Sequence, residues 1–594
     1  RTPSSAGNRR TFTYSCWFKR ENLSGANQPL LSAGSGASNF TMLYIDAGTN
    51  RINWYWYNGS TDYGKNYNIV LRDTTNWYHL VWAIDTTQAT ASDRAKVYVN
   101  GTEITSVATD YGWWGQNHDT HINNNQEHLI GRYTGNTVYA DGYIAECNLI
   151  DGQALTPSSF GETKNGLWIP KAYSGSYGTN GFRLTFADSS SLGDDTSGNG
   201  NDFTSSGLAS TDVCTDSPTN NWSTLNPLIP IANGSLSEGN LKFTASSSWG
   251  GSKSSIAIPS TGKWYAEMRV GSTTSNSAQV QFVVARISTA NGYDTTERYG
   301  FEFNNGFFVV TGTSYSTNGG FTTPAGKIIQ LAIDSDAGKI WFGYGNTYYR
   351  LYNATDGNPS AGTNESVSSL NFATTDYAIS FQAQGSQNGV LNFGGDGTFA
   401  GTVTAQGNAD ANGNGDFYYA PPTDFLALCS ANLPDTTISP NQSTQADDHF
   451  NTVLYTGNGT SQSITGVGHQ PDWAWFKSRD DGSLWHYLLD SSRGGTKRLY
   501  TNGTGAESTN ANAIQSFDSD GFSVGSALNV NANNDPIVAW NWKAGGSTPT
   551  KTYKVVVVSD SGNKYRFRNS ADSATFAQSA VTLMVVAQNI QLEL

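Results

Sequence analysis

The sequence predicts an all-β protein, made of several β-sandwiches in tandem with a short β segment at its C-terminus. Composition is the first reason: 64 Gly, 17 Trp, 30 Tyr and 27 Phe accompany only 14% charged residues, which favours turn-rich sheets over long helices. Alternation of apolar and polar residues along short segments is the second reason. With 594 residues, the chain is too long for one hydrophobic core, so three or more domains are expected.

Charge and cysteine spacing exclude several classes of function. The chain carries 34 basic and 48 acidic residues, which argues against a nucleic acid partner because phosphate binding needs a basic surface. No apolar run approaches the roughly 18 residues of a membrane helix, so no membrane insertion is expected. The cysteines Cys16, Cys147, Cys214 and Cys429 form no CxxC pair and predict neither a metal knuckle nor a disulfide scaffold. Cys16 and Cys147 lie within strand patterns, so we interpret them as reduced core thiols.

Strand and turn signals are dense in the first third of the chain. Residues 77–85 (WYHLVWAID) and 96–104 (KVYVNGTEI) predict two strands. The second strand closes on Asn100-Gly101, a strong signal for a type I′ hairpin turn. The string GYIAECNLIDGQALT at 142–156 predicts a further strand and turn.

These segments together resemble the laminin-G-like, concanavalin A-type lectin sandwich. The matching strings are WYHLV (77–81), VYVNG (97–101), DGYIAE (141–146) and ALT (154–156). We assign this domain to residues 1–210, and the resemblance implies a jelly roll that binds glycan. Domains of this kind have a strand before the one at 11–20, so we expect sequence upstream of Arg1.

A second sandwich is predicted for residues 235–424, after a proline-bearing linker at 211–234. The string GKWYAEMRV puts Trp264, Ala266, Met268 and Val270 on one strand face and Tyr265, Glu267 and Arg269 on the other. Hairpin turns are predicted at 304–306 (NNG) and 334–338 (DSDAG). The strings KWYAE, YGFEF and LAIDSDAGKIWFG resemble a SPRY-type β-sandwich.

A third β-rich domain is predicted for residues 448–546, after a linker at 425–447. Its opening HFNTVLYTGNGT and closing PIVAWNWKAGG are similar to a module found beside lectin-like sandwiches in structural proteins of marine bacterial viruses. The last residues, 547–594, predict a β-hairpin turning at Ser561-Gly562-Asn563. This segment is either a truncated domain or strands that complete a neighbour.

The residues predict no enzyme. Glucanases of the concanavalin A type carry their two carboxylates on one strand as E-x-D-x-(x)-E, and no such string occurs. Glu146 and Asp151 are five residues apart, on opposite faces of a regular strand. His118 and His121 have HxxH spacing, but their surroundings predict a loop rather than a zinc-binding helix, so hydrogen-bonded loop histidines are expected there.

Aromatic residues are the candidate ligand-binding groups. Trp113 and Trp114 lie side by side between glycines, with Asn117 shortly after them. Trp54 and Trp56 share one face of a predicted strand, while Tyr55 and Tyr57 share the other. Sugars stack on exposed aromatic rings, and amides fix their hydroxyls. The alternative is that these rings belong to the core or to an interface.

A polar loop, GDDTSGNGNDF at 193–203, has two interpretations. Its first half follows the calcium-loop pattern D-x-[DN]-x-[DN]-G, but Ser206 stands where the bidentate Glu belongs and no helix flanks it. A tight turn is the first interpretation, since Asn and Gly tolerate positive φ. A weak calcium site is the second, with Asp195, Asn199, Asn201 and Asp202 as ligands, and no other cofactor is expected.

The resemblances imply a non-enzymatic structural protein of a bacterial-virus particle: a tail fibre, adhesin or capsid appendage that recognises a host-surface glycan. Its expected location is the virion surface, outside the cell, with other virion proteins as partners. Alternatives are a purely structural or decorating virion protein without a ligand, and a bacterial cell-surface adhesin or polysaccharide depolymerase. Exposed sheet edges on a chain with few charges predict a homo-oligomer, and resemblance to fibres suggests a trimer.

Overall fold

The structure is a computed structural model. The chain folds into two compact units, residues 1–434 and 435–594. The structure describes all residues except 24, 136, 165–166, 230, 232, 272–279, 289–297, 304–306, 312–313, 319–324, 351–354, 435–445, 545–557, 561–563 and 567–594. The described elements are almost entirely β, as predicted. Among them, no helix has the length and apolarity needed to cross a membrane.

The first sandwich consists of two six-stranded antiparallel sheets and a short hairpin. Its strands are β1 (Thr11–Arg20), β2 (Gln28–Gly36), β3 (Asn39–Ile45), β4 (Arg51–Tyr57), β5 (Asp62–Val70), β6 (Tyr78–Asp85), β7 (Ala95–Val99), β8 (Thr102–Glu103), β9 (Val107–Asp110), β10 (Glu127–Ile130), β11 (Gly142–Asp151), β12 (Gly161–Lys164), β13 (Leu167–Pro170) and β14 (Phe182–Leu184). One sheet has the order β14-β11-β1-β6-β7-β8 and the other β10-β2-β3-β4-β5-β9, while β12 and β13 pair separately.

Alternation along the strands builds the core between these two sheets. Tyr14 and Cys16 of β1 point inward, as do Trp54 of β4, Trp82 of β6 and Cys147 of β11, and all five are buried. Both cysteines are free thiols, which confirms their placement in the core. The predicted hairpin turn is also confirmed: Asn100 and the glycine after it have φ of 48° and 82°, the left-handed pair of a type I′ turn.

The second sandwich packs an eight-stranded sheet against a six-stranded one. Its strands are β15 (Gly234–Ser237), β16 (Lys242–Ala245), β17 (Gly250–Lys253), β18 (Lys263–Val270), β19 (Val280–Arg286), β20 (Arg298–Phe303), β21 (Phe307–Thr311), β22 (Ser314–Asn318), β23 (Ile328–Asp334), β24 (Lys339–Tyr344), β25 (Thr347–Tyr349), β26 (Tyr377–Ala383), β27 (Asn388–Asn392) and β28 (Leu426–Ala427). The sheets have the orders β15-β16-β27-β18-β23-β24-β25, with β28 parallel to β18, and β17-β26-β19-β20-β21-β22. The hairpin of β23 and β24 is confirmed, while the predicted turn at 304–306 lies outside the described residues.

Strand β18 is buried on both faces, although its sequence alternates. Trp264 and Met268 face the main core as predicted. Tyr265 faces a second cluster that includes Phe417 and Phe425, because the segment after β27 folds over the outer face of the sheet. Glu267, on this outer face, is fully buried. The sequence pattern placed Tyr265 and Glu267 on one face of β18 but could not show which segment covers that face.

The two segments predicted as linkers carry packed residues of the first unit. Lys19 of β1 donates hydrogen bonds to Asp216 and Asn221, both at 2.7 Å, and the indole of Trp77 donates to the other oxygen of Asp216 at 2.9 Å. In the second segment, β28 and Cys429 are buried against the second sandwich. The first segment therefore contacts both sandwiches, and the second segment adds a strand to the second sandwich.

The second unit contains a six-stranded sheet covered on one face by a three-stranded sheet. Its strands are β29 (Phe450–Thr456), β30 (Gln462–Thr465), β31 (Trp473–Ser478), β32 (Tyr487–Asp490), β33 (Lys497–Tyr500), β34 (Ser508–Thr509), β35 (Ile514–Asp518), β36 (Gly521–Val524) and β37 (Pro536–Trp542). The sheets have the orders β29-β37-β31-β32-β33-β34 and β30-β36-β35. A single-turn helix, α1 (Leu528–Asn531), precedes β37.

Short elements complete the described structure. Strands β38 (Val558–Asp560) and β39 (Lys564–Arg566) pair antiparallel near the C-terminus, and the turn predicted at 561–563 lies outside the described residues. The single-turn 3₁₀ helices are Ala91–Asp93, Pro157–Ser159, Ser210–Asp212, Ser430–Asn432 and Ala446–Asp448.

Candidate functional site

The outward surface of the sheet containing β3 and β4 is lined with aromatic rings. Because side chains alternate along a strand, the inward positions of β4 hold Trp54 and Trp56, and the outward positions hold Tyr55 and Tyr57. The β3–β4 register pairs Met42 with Tyr55 on this outward surface. The surface formed by Phe40, Met42, Tyr44, Tyr55, Tyr57, Tyr111 and Tyr133 is called the tyrosine face below.

Ring contacts order the tyrosine face around Phe40. The ring of Phe40 lies 4.6 Å from that of Tyr133, 5.9 Å from Tyr55 and 6.2 Å from Tyr57 between centroids. Tyr111, which is 48% exposed, contacts Tyr55 edge-on at 5.6 Å. Such edge-to-face and tilted pairs hold the rings in fixed orientations, so a ligand meets a preformed surface.

A cavity of about 250 Å³ opens on the tyrosine face. Its lining consists of Asn27, Pro29, Phe40, Met42, Tyr44, Tyr55, Tyr133 and Val138. This volume lies below the range of about 300–1,000 Å³ for small-molecule pockets. This cavity therefore suits a small, partly apolar group such as one ring of a longer ligand.

Hydroxyl groups at the rim give the cavity its polar character. The Tyr55 hydroxyl donates to Oδ2 of Asp62 at 2.7 Å, and the Tyr133 hydroxyl donates to the Ala37 carbonyl at 3.0 Å. Burial raises the pKa of Tyr44, Tyr55 and Tyr133 above the usual value, so all three hydroxyls keep their protons at neutral pH. Because the Tyr55 and Tyr133 hydroxyls donate their protons to these partners, they act toward a ligand as uncharged hydrogen-bond acceptors.

The tryptophans predicted as a stacking surface lie mostly in the core, so that prediction is corrected. Trp54, Trp56 and Trp114 are 1%, 7% and 0% exposed and belong to the cluster between the two sheets. The ring of Trp114 packs at 4.3 Å from Trp54 and lies parallel to His118 at 5.8 Å. A sugar cannot reach rings that are already enclosed by protein atoms.

Trp113 and Asn117 are more accessible but do not line the cavity on the tyrosine face. The ammonium of Lys65 covers the ring of Trp113 at 4.2 Å and binds Asp110 as well. Asn117 is exposed in a left-handed turn (φ 62°), and its backbone N–H donates to the Thr86 carbonyl at 2.8 Å. Neither residue therefore forms part of the tyrosine face.

The polar loop at 193–203 forms a hydrogen-bonded turn, the first of its two interpretations. Oδ1 of Asp195 accepts the N–H groups of Arg183 and Ser197 at 2.8 and 2.9 Å. Its Oδ2 accepts the N–H of Asn201 at 2.8 Å and the Ser197 hydroxyl. Asp195 is therefore fully engaged by donors from its own loop and the adjacent strand.

The remaining candidate calcium ligands are also used within the turn. The side-chain amides of Asn199 and Asn201 donate to the Gly181 carbonyl at 3.0 and 2.7 Å. The guanidinium of Arg1 binds Oδ1 of Asn201, while Asp202 accepts the N–H of Asp195 at 2.9 Å. In the part of the chain described above, no group of three or more His, Cys, Asp or Glu side chains could hold a metal ion.

Glu146 and Asp151, the two carboxylates considered in the sequence, contact different partners. Glu146 forms a bidentate ion pair with Arg183, with both bonds at 3.0 Å. Asp151 instead accepts the backbone N–H groups of Asn8 and Asn180 at 2.7 and 3.0 Å. Each of these two carboxylates is therefore engaged in its own structural contact.

The prediction of a hydrogen-bonded loop histidine is confirmed for His121, and His128, on β10, also forms a hydrogen bond. His121 contacts Asn39 and Thr41 at 2.8 and 2.9 Å, and burial lowers its pKa to about 4. His128 accepts the N–H of Asn123 at 2.9 Å, and burial lowers its pKa to about 4 as well. Both rings are therefore neutral hydrogen-bonding groups near pH 7.

Comparison with known families assigns the architecture around the tyrosine face. Residues 1–159 match the profile of the concanavalin A-like lectin/glucanase superfamily. The N-terminal domain is a laminin G-like, concanavalin A-type sandwich. Residues 445–567 match the profile of a domain of unknown function. Among curated proteins, none matches the chain.

Several solved structures share partial similarity with this chain. The SPRY domain of human HERC1 is 11% identical to this chain. The match covers 28% of this chain and 96% of the HERC1 chain, with a TM-score of 0.22. A sialidase carbohydrate-binding module of Ruminococcus gnavus, bound to α2,3-sialyllactose, is 16% identical over 25% and 80% of the two chains, with a TM-score of 0.20. Domains LG4-5 of the mouse laminin α1 chain are 9% identical over 72% and 84%, with a TM-score of 0.22.

Proposed function

We propose that the chain is a non-enzymatic glycan-binding protein whose N-terminal lectin-like sandwich binds carbohydrate on the tyrosine face. The observation that carries this proposal is the cavity lined by Tyr44, Tyr55 and Tyr133 beside the amide of Asn27. Aromatic rings accept the C–H face of a sugar, while phenol and amide groups bond its hydroxyls. The lectin-like architecture of residues 1–159 supports a binding rather than a catalytic role.

A glycan array tests this proposal on the full chain. We expect binding to at least one oligosaccharide, and a loss of about 5- to 30-fold in affinity for each stacking ring removed, as for other ligand-contacting aromatics. The variant Tyr44→Ala/Tyr55→Ala removes two rings of the cavity. Tyr139→Ala is the matched control, because Tyr139 is 55% exposed and lines a different cavity.

Three results would separate the competing functions. Binding that is lost in the double variant but kept in the control supports the tyrosine face. Absence of binding to any bacterial polysaccharide would favour a purely structural or decorating protein without a ligand. Release of reducing ends from host polysaccharide during prolonged incubation would favour a depolymerase.

For the whole chain we infer a role on the surface of a bacterial-virus particle, as a tail fibre, adhesin or capsid appendage. The support is the resemblance of the third domain to modules found in such particles, together with the arrangement of sandwiches in tandem. Host-surface glycan and other virion proteins would then be its partners, and the location would be extracellular. Antibodies against the chain should label purified particles by immunogold microscopy; labelling of bacterial cell surfaces alone would indicate a cellular adhesin instead.

We also propose that the chain forms a homo-oligomer, with a trimer as the expected state. Supporting this, the outward face of the six-stranded sheet in the second unit exposes Phe450, Leu454 and Trp473 at 39%, 60% and 36%. Exposed apolar groups on one face favour association. Light scattering should give three times the monomer mass of 63.8 kDa; a stable monomer at micromolar concentration would contradict the proposal.

A further inference from the structure

The cavity on the tyrosine face contains no charged side chain in its lining. Its eight lining residues are Asn27, Pro29, Phe40, Met42, Tyr44, Tyr55, Tyr133 and Val138. Every polar group among them is a phenol or an amide, since the high pKa values keep the phenols uncharged. The site can therefore recognise hydroxyl groups, but it offers no cation to a carboxylate, sulfate or phosphate.

Two carboxylates just outside this lining, Asp62 and Asp46, act on its tyrosines. Asp62 accepts the Tyr55 hydroxyl through Oδ2, and within the described residues its Oδ1 accepts no hydrogen bond. Asp46 also acts on the site, because its charge adds to the effect of burial in raising the pKa of Tyr44. An anionic group in the cavity would meet repulsion from both carboxylates.

Cations elsewhere in the first sandwich do not compensate for these carboxylates. Lys65 projects from the inward face of β5 and binds Asp110 and the ring of Trp113. Arg132 lies over the ring of Tyr139 at 5.6 Å. Arg51, at the start of β4, lies outside the lining and, unlike the two carboxylates, is not among the groups that shift the pKa of Tyr44 or Tyr55.

We propose that the tyrosine face selects neutral glycans and rejects those carrying carboxylate, sulfate or phosphate, with Asp62 as a specificity-determining residue. This inference rests on the proposed glycan-binding function of the same cavity. A neutral sugar can donate a hydroxyl to the unused Oδ1 of Asp62, a charge-assisted hydrogen bond. An acidic sugar must lose the hydration of its charge without gaining a partner, which is costly.

Binding of matched neutral and acidic oligosaccharides to the full chain tests this selectivity. The probes are galactotriose against trigalacturonate, and lactose against 3′-sialyllactose, measured by calorimetry at low and high salt. We expect the neutral member of a bound pair to bind at least about tenfold more tightly. This ratio corresponds to a binding free-energy cost of about 1.4 kcal/mol or more for the charge that finds no partner. High salt should reduce this ratio, because screening weakens the repulsion.

Two variants identify the source of the selectivity. Asp62→Asn keeps an oxygen for the Tyr55 hydroxyl and removes the charge, so it should reduce the neutral-to-acidic ratio by about fivefold. Glu162→Gln is the matched control, because Glu162 is an exposed carboxylate on β12 outside the cavity, and its loss should leave the ratio unchanged. An equal change in both variants would overturn the role of Asp62.

The possible outcomes distinguish this inference from the function on which it rests. Binding of neutral probes alone supports both. Equal or tighter binding of trigalacturonate or 3′-sialyllactose, lost in Tyr44→Ala/Tyr55→Ala, would preserve the glycan-binding function but overturn the selectivity. Absence of binding to every probe and to the glycan array would overturn both.

Discussion

Replacing Trp114 by Ala should destabilise the first sandwich strongly. Its side chain is 0% exposed, packs at 4.3 Å from Trp54 and lies parallel to the ring of His118. Removing a buried indole costs about 3–5 kcal/mol through lost burial and the cavity left behind. At roughly 2–4 °C per kcal/mol for large domains, the melting transition should fall by about 6–20 °C.

Scanning calorimetry of the full chain measures this shift directly, since the transition of the first unit should move while that of the second unit stays. Tyr111→Ala provides the comparison: its ring is 48% exposed, so its loss should cost less than about 1 kcal/mol. A Trp114→Ala protein that melts within 2 °C or so of the wild type would refute the placement of this ring in the core. The tryptophans would then again be candidates for the ligand surface.

Three further predictions follow from buried polar groups. Burial raises the pKa of Glu267 from 4.5 to about 7, so the folded state prefers the protonated acid; this stability is present below pH 4.5 and is lost, by up to about 3 kcal/mol, as the pH rises through 7. Urea denaturation at several pH values should show this loss in the wild type and a flatter profile in Glu267→Gln. Asp195→Ala should cost about 2–4 kcal/mol through its lost hydrogen bonds, while millimolar calcium should leave the melting temperature of the wild type unchanged; a clear calcium-dependent rise would restore the metal interpretation. Lys19→Met leaves the buried carboxylate of Asp216 without its ion pair and should cost about 3–5 kcal/mol in the same denaturation assay, and an unchanged midpoint would show that the pair does not hold the two sandwiches together.

The fold could be predicted because its signals are local. Alternation identified β18, and the Asn100-Gly101 dipeptide identified the β7–β8 hairpin, since only residues that tolerate positive φ fit that turn. The packing of the predicted linkers could not be predicted, because it depends on contacts between residues far apart in the chain. Segments rich in Pro, Ser and Asn look solvated, but Asp216 becomes buried through the distant partner Lys19, and no local pattern reveals such a contact.

Part of the tyrosine face could be predicted from the sequence. Alternation correctly placed Trp54 and Trp56 on one face of β4 and the tyrosines Tyr55 and Tyr57 on the other. It could not show which of the two pairs faces outward. The larger apolar rings are inside, because burial of a tryptophan removes more apolar surface from water than burial of a tyrosine. That physical preference was the signal that could have selected the tyrosines.

Other residues of the tyrosine face could not be recognised from sequence. Tyr133 reaches the cavity from the loop after β10, and its position depends on a hydrogen bond to Ala37, 96 residues earlier in the chain. Phe40 and Met42 alternate with the buried residues Thr41 and Leu43 on β3, so the sequence does not show which face of that strand points outward. Only the pairing of β3 with β4 shows that they share one surface with Tyr55.

The most direct test of the glycan-binding proposal is a crystal structure of the chain with an oligosaccharide that it binds on the array. The proposal predicts sugar density in the cavity of the tyrosine face, with a ring stacked on Tyr44 or Tyr55 and a hydroxyl within hydrogen-bond distance of Asp62. Density elsewhere, for example in the cavity beside Tyr139 and Phe203, would contradict it.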